Sequence, residues 1–265
     1  MQAQLKNLRA LVIDADGVLW RGSEPLPGVA NFFDFLRSHK IDFIIATNNS
    51  ARPATEVVGK MERMGVKLGV DAVLTSSQAT ALYLPRIAPN AKRIFVIGGE
   101  GITTALIEAG YELVEKDADA VVAGIDMALT YNKLSQATRE IRRGAIFVGT
   151  NGDKTFPSED GIIPGAGSIL AALEAASGVS PTIVGKPERT MFDIAVEQMR
   201  ATPQTTATLG DRLDTDIAGG QRAGLASILV MTGVTTPEVL DKSTIRPDFI
   251  FADLISLREA WQLCY

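Results

Sequence analysis

The sequence predicts an α/β protein with parallel, doubly wound, Rossmann-like sheets. Short β-branched runs alternate with amphipathic helical stretches along the whole chain. Most of the runs are apolar throughout, as strands covered on both faces by helices are. Such alternation builds strand–helix–strand units with right-handed crossovers.

The strand candidates are residues 9–14 (RALVID), 42–47 (DFIIAT), 71–76 (DAVLTS), 93–98 (RIFVIG) and 118–125 (ADAVVAGI). They continue with 145–150 (AIFVGT), 181–185 (PTIVG), 206–210 (TATLG), 226–231 (ASILVM) and 248–252 (DFIFA). Between them, Val29, Phe32, Phe33 and Leu36 recur at helical spacing. A second helix opens at Pro53 and closes at Gly65. The stretches YNKLSQATREIRRG, GSILAALEAASG and RTMFDIAVEQMR read as three more. With no short repeat or low-complexity linker, ten strands fit either one sheet or two smaller ones.

The 265 residues are 46% hydrophobic and 22% charged, with net charge −5 and no basic run. That balance describes a globular chain and gives nucleic acid or a membrane surface no electrostatic hold. The lone Cys264 excludes an internal disulfide and any multi-cysteine metal site. One histidine, His39, at a helix end, makes a histidine-rich metal centre improbable. No apolar stretch reaches the roughly 18 residues of a membrane span, and the start lacks a signal-peptide core. A reducing cytoplasm is the expected location.

Four strand ends carry chemistry. LVIDADGVLW ends a buried strand in Asp14 and Asp16, whose i, i+2 spacing places both carboxylates on one side. Carboxylates at the C-terminal end of a parallel strand lie where α/β sheets hold ligands. An ordinary Asp-Gly turn explains this segment alone equally well. FIIATNNSARP places Thr47, Asn48 and Asn49 ahead of a helix, where free N–H groups receive phosphate or simply cap the helix. IVGKPERTMF offers Lys186 between a strand and a helix, a position usually filled by a solvated lysine. LGDRLDTDIAGG carries Asp211, Asp214 and Asp216, and helix capping accounts for the last two but not for Asp211.

In this order, Asp-x-Asp, Thr, Lys and Gly-Asp-x-x-x-x-Asp resemble the haloacid dehalogenase (HAD) superfamily. DADGVLWRG, ATNNS, GTNGDKTFPSEDGIIPGAGSILAALEAASG and VGKPERTMF look like its NagD-like, p-nitrophenyl phosphatase subfamily, over about residues 9–235. The resemblance implies a HAD core at residues 1–77 and 181–265, with an inserted α/β cap domain at 78–180 that covers the active site. It implies a phosphatase in which Asp14 is the nucleophile and forms an aspartyl-phosphate. Asp16 would protonate the leaving oxygen and then activate water. Thr47, Asn48 and Asn49 would bind the phosphoryl oxygens, and Lys186 would neutralise them. Mg²⁺ would be held by Asp14, the Asp16 carbonyl and Asp211, with Asp216, or alternatively Asp214, in support. In the cap, Asp126 would face the substrate. Met127, Ala128 and Leu129 after it depart from the polar residues of many relatives and give the pocket some apolar character or pack inside the cap.

The implied partner is a small-molecule phosphate ester, with no nucleic acid and no membrane. Caps of this type often help form dimers, so a homodimer belongs among the expectations. VIGGEGITTAL lacks the full dinucleotide-binding pattern and reads as a plain strand–helix turn. Trp20 reads as packing beside the nucleophile loop. The competing functional class is an aspartate-phosphorylated regulatory or non-catalytic binding module. Receiver domains share the acidic pair, Thr and Lys, but they are about half this length and lack a large insertion.

Overall fold

The computed structural model describes residues 5–158 and 161–265. Its first stretch is β1 (Ala10–Ile13), a hairpin of β2 (Trp20–Arg21) and β3 (Glu24–Pro25), helix α1 (Val29–Ser38), β4 (Asp42–Thr47), α2 (Ala54–Arg63) and β5 (Val73–Thr75). Next come α3 (Ser76–Ile87), β6 (Arg93–Ile97), α4 (Glu100–Glu108), β7 (Glu112–Leu113), β8 (Ala120–Ala123), α5 (Tyr131–Arg142) and β9 (Ile146–Gly149). The hairpin strands β10 (Thr155–Ser158) and β11 (Gly161–Pro164), α6 (Ala166–Ser177) and β12 (Thr182–Ile183) follow. The last stretch holds α7 (Arg189–Gln198), β13 (Thr206–Gly210), α8 (Ala218–Arg222), β14 (Ala226–Val230), α9 (Pro237–Lys242), β15 (Phe249–Phe251) and α10 (Leu254–Gln262). No described helix is long and apolar enough to cross a membrane.

The chain forms two compact units. The first gathers the segment ending at Thr47 with Thr55–Leu74 and Pro187–Tyr265; the second gathers Asn48–Ala54 with Thr75–Lys186. Strand periodicity alone fits one sheet or two and the chemical motifs favour two; the structure has two main sheets, one per unit.

The first unit's sheet runs β15-β14-β13-β1-β4-β5. β1 pairs parallel with β13 on one side (Ile13 beside Leu209) and with β4 on the other (Ile13 beside Ile45). Every residue of β1 and β13 is buried, which explains why both read as unbroken apolar or small runs. From β1 the chain proceeds outward through β4 and β5; from β13 it proceeds the other way through β14 and β15. The order therefore reverses between β1 and β13, the place where open α/β sheets leave a crevice for ligands. Phe32, Phe33 and Leu36 of α1, with Leu257 and Trp261 of α10, are sealed in the core against this sheet.

The second unit's sheet runs β12-β9-β8-β6-β7, all parallel. Its core packs Phe95, Ile97, Val121 and Phe147 from the strands against Ala137 and Ile141 of α5 and Ile169, Leu170 and Leu173 of α6. The turn after β6 leads directly into α4, a plain strand–helix connection.

Candidate active site

Asp14 follows the last residue of β1, and its backbone N–H donates to the Leu209 carbonyl of β13 (2.8 Å). Asp211 follows the last residue of β13. Both carboxylates therefore leave the C-terminal ends of the two strands that flank the reversal of strand order. Beyond Asp211 the chain makes one π-helical turn, Leu213–Ile217, and Asp216 stands on it. The Arg212 N–H donates to Asp216 Oδ2 (3.1 Å) and turns that carboxylate back toward the strand end. One carboxylate oxygen from each of Asp14, Asp211 and Asp216 lies within 4.8 Å of the other two. Asp211 and Asp216 are each only 1% exposed, and Asp14 is half-buried.

Two glycines make room for this cluster. A Cβ on Gly17 would stand 2.6 Å from Asp211 Oδ2, and one on Gly233 would overlap the same carboxylate. Gly17 also has φ +84°, a left-handed conformation that other residues adopt at a cost. With a bare backbone on both flanks, Asp211 Oδ2 accepts the Val234 N–H at 2.6 Å.

The structure separates the two candidates for the last acidic position. Asp214 faces Arg212, whose guanidinium donates to Oδ1 (3.2 Å) and Oδ2 (2.9 Å), and its side chain is 68% exposed. Those hydrogen bonds hold its carboxyl below the usual carboxylate range, with partial burial opposing them. Asp216, not Asp214, shares the cluster.

Thr47 ends β4, the other neighbour of β1, and is buried. Asp16 is exposed, and its carboxylate belongs to a different arrangement from the acidic trio. The Trp20 indole N–H donates to Asp16 Oδ1 at 2.8 Å. Lys60 of α2 lies with its Nζ 4.0 Å from the centre of the Trp20 ring and donates to the Gly22 carbonyl (2.6 Å). Trp20 is buried, as packing predicts, but its polar edge has a partner that sequence reasoning did not foresee. The available signal was its position, four residues after Asp16.

Asn48, Asn49, Lys186 and Asp126 belong to the second unit. The Asn48 carboxamide clasps the Lys186 peptide: Oδ1 accepts the Lys186 N–H (2.8 Å) and Nδ2 donates to the Lys186 carbonyl (2.9 Å). Nδ2 also donates to Asp153 (3.0 Å), and the Asn48 carbonyl accepts from Ser76 and Asn151 (2.7 Å each). The side chain of Asn48 is thus engaged in holding backbone. Asn49 Oδ1 accepts the Ala51 N–H (3.0 Å), closing the turn ahead of α2. Asp126 accepts the Ala128 N–H (2.8 Å) and Lys133 Nζ of α5 (2.7 Å), so each of its oxygens has a partner within the second unit. After it, Met127 is 68% exposed, whereas Leu129 packs against the second unit's core.

Comparison with known proteins places the chain in a family. A family model for haloacid dehalogenase-like hydrolases matches residues 11–112, and a HAD-hydrolase-like model matches residues 183–257. The acid sugar phosphatase of Staphylococcus saprophyticus is 38% identical over 94% of this chain and 96% of its own length. The crystal structure of 4-nitrophenylphosphatase from Thermotoga maritima superposes with a TM-score of 0.92 at 36% identity, covering 98% of this chain and 99% of that one. Glycerol phosphate phosphatase from Mycobacterium tuberculosis, in complex with magnesium, gives a TM-score of 0.89 at 33% identity, covering 98% of this chain and 79% of that one. The chain belongs to the haloacid dehalogenase-like hydrolases and is a phosphatase of that superfamily.

Proposed function

We propose that this enzyme is a Mg²⁺-dependent phosphomonoester hydrolase for small phosphorylated metabolites, with Asp14 as its nucleophile. The observation that carries the reading is the Asp14–Asp211–Asp216 cluster at the reversal point of the first sheet. Three carboxylates so close repel one another unless a cation is shared among them. An all-oxygen donor set built from carboxylates suits a hard divalent ion such as Mg²⁺. Asp14, the Asp16 carbonyl and Asp211 would hold the ion, with Asp216 in support. Once bound, Mg²⁺ offsets the negative charge of the phosphoryl group and of the carboxylate that attacks it. The relative from M. tuberculosis, named as a magnesium complex, supports the choice of metal.

The chemistry then rests on the chain's own residues. A carboxylate oxygen of Asp14 attacks phosphorus, and the ester P–O bond breaks with its electron pair on the leaving oxygen. Asp16 gives that oxygen its proton. Water next attacks the aspartyl-phosphate and gives a proton to Asp16. The bond to Asp14 breaks, releasing inorganic phosphate. Thr47 receives phosphoryl oxygens at the end of β4. The roles of Asn48 and Lys186 in binding and neutralising the phosphoryl group rest on the order of the sequence motifs. Residues 78–180 are assigned as the specificity-bearing cap on the same ground. The names of the relatives, acid sugar, nitrophenyl and glycerol phosphate phosphatases, support a small phosphate ester as substrate.

The test is phosphate release from a panel of phosphomonoesters with and without Mg²⁺. Asp14→Asn should cut turnover about 1,000-fold or more, because the covalent nucleophile is gone. A folded Asp14→Asn variant that retained more than a small fraction of wild-type activity would remove Asp14 from that role.

A further inference from the structure

We infer that Trp20 is a positioning residue for Asp16, with Lys60 fixing the indole from above. The inference rests on the reading of Asp16 as the proton donor to the leaving group. A proton donor must present a definite oxygen to the substrate, and Asp16 is exposed, in a loop where a free carboxyl would rotate. The Trp20 N–H supplies the missing constraint by donating to Oδ1 at 2.8 Å. An oxygen facing an N–H donor cannot point a proton toward it, so the mobile proton sits on Oδ2, the oxygen left for the substrate.

Trp20 is itself held in place. The residue is 4% exposed, and its backbone carbonyl accepts the Gly17 N–H at 2.7 Å. Over its face lies the Lys60 ammonium, 4.0 Å from the ring centre and anchored on the Gly22 carbonyl. A cation there draws ring electrons and strengthens the N–H as a donor. Burial holds the Lys60 ammonium below the ordinary lysine range, while the Asp16 carboxylate pulls it back up and Arg63 lowers it further.

The experiment compares kcat/KM on two esters, because that ratio reports the step in which the leaving group departs. An alkyl phosphate leaves as a strong base and needs the proton; p-nitrophenyl phosphate leaves as a weak base and hardly needs it. Trp20→Phe keeps the ring and deletes the donor. It should lower kcat/KM on glycerol phosphate by about 10- to 100-fold and on p-nitrophenyl phosphate by less than about 3-fold. Lys60→Met should show the same selective loss, smaller in size, and carries the test if Trp20→Phe does not fold. Equal losses on both esters, or none, would make Trp20 a packing residue and overturn the inference. Asp16→Asn is the companion measurement. If it discriminates between the esters and the Trp20 and Lys60 variants do not, the positioning role alone fails. If Asp16→Asn does not discriminate, the proton-donor reading fails and the positioning role goes with it.

Discussion

Asp214 and Asp216 are two residues apart, both acidic and both behind Asp211, yet they face opposite surroundings. The π-helical turn Leu213–Ile217 decides between them, because its wider winding returns Asp216 to the strand end and leaves Asp214 beside Arg212. A removal experiment should separate them. Asp216→Asn takes a charge from the acidic cluster and should raise the Mg²⁺ needed for half-maximal phosphate release by about 10- to 100-fold. Asp214→Asn breaks an exposed pair, worth at most about 1 kcal/mol, and should leave that concentration within about 2-fold. Sequence reasoning named Asp14 and Asp211 because strand ends are legible: an apolar run stops and a carboxylate follows; Asp216 came from the family resemblance, with Asp214 as the alternative. That reasoning could not choose between Asp214 and Asp216, since nothing in the letters marks a π turn. It also passed over Gly17 and Gly233, whose role is to leave space, and space shows only when Asp211 is in place.

Among the elements, long buried strands were the most legible. Residues 42–47 and 206–210 form strands with the expected bounds, and the remaining eight candidates contain shorter ones. The two-residue strands β2, β3 and β7 escaped notice because alternation needs about four residues to register. Helix α3 begins with Ser76 and Ser77 and contains Pro85, a composition that reads as loop; a capping box of Thr75 and Gln78 starts it nonetheless. The start of β6 depends on a side chain from another loop. Asp119 accepts the N–H groups of Lys92 (2.9 Å) and Arg93 (2.8 Å), so its carboxyl is held below its ordinary range, first by Lys92 and then by Arg93. A depressed folded-state pKa means stability that is present above the unfolded value and lost as pH falls through the folded one. Asp119→Ala should therefore cost about 1 kcal/mol at neutral pH, and the gap to wild type should close in acid. Urea midpoints of both proteins, followed from neutrality into acid, check this; a gap that stayed constant would show that the charge of Asp119 does not matter.

Across the whole molecule, the two sheets divide the sequence motifs between them, and the assignment of specificity to the second unit makes a prediction at that scale. Leu129 packs against that unit's core, so Met127 is the large apolar side chain of the departing stretch that stays exposed. Met127→Arg should change the ranking of kcat/KM between an aromatic ester and a sugar phosphate by about 10- to 200-fold, while turnover of the better ester persists. A uniform drop on both esters would reduce Met127 to a surface residue. The existence of two sheets was readable from the number of strands only after the motifs had been located, because periodicity carries no information on which strands pair.

The pairing of β1 with β13 has a consequence for biosynthesis. Residues Ala10–Ile13 leave a ribosome long before the strand beside them, which begins at Thr206. Until then β1 can pair only with β4, and Asp14 stands alone at an open sheet edge. Distant pairings of this kind are slow to close. The nascent chain therefore carries Asp14 through all the intervening synthesis without the two carboxylates that complete the acidic cluster. Phosphatase activity should appear as a single late event, when β13 slots in beside β1, and not grow with chain length.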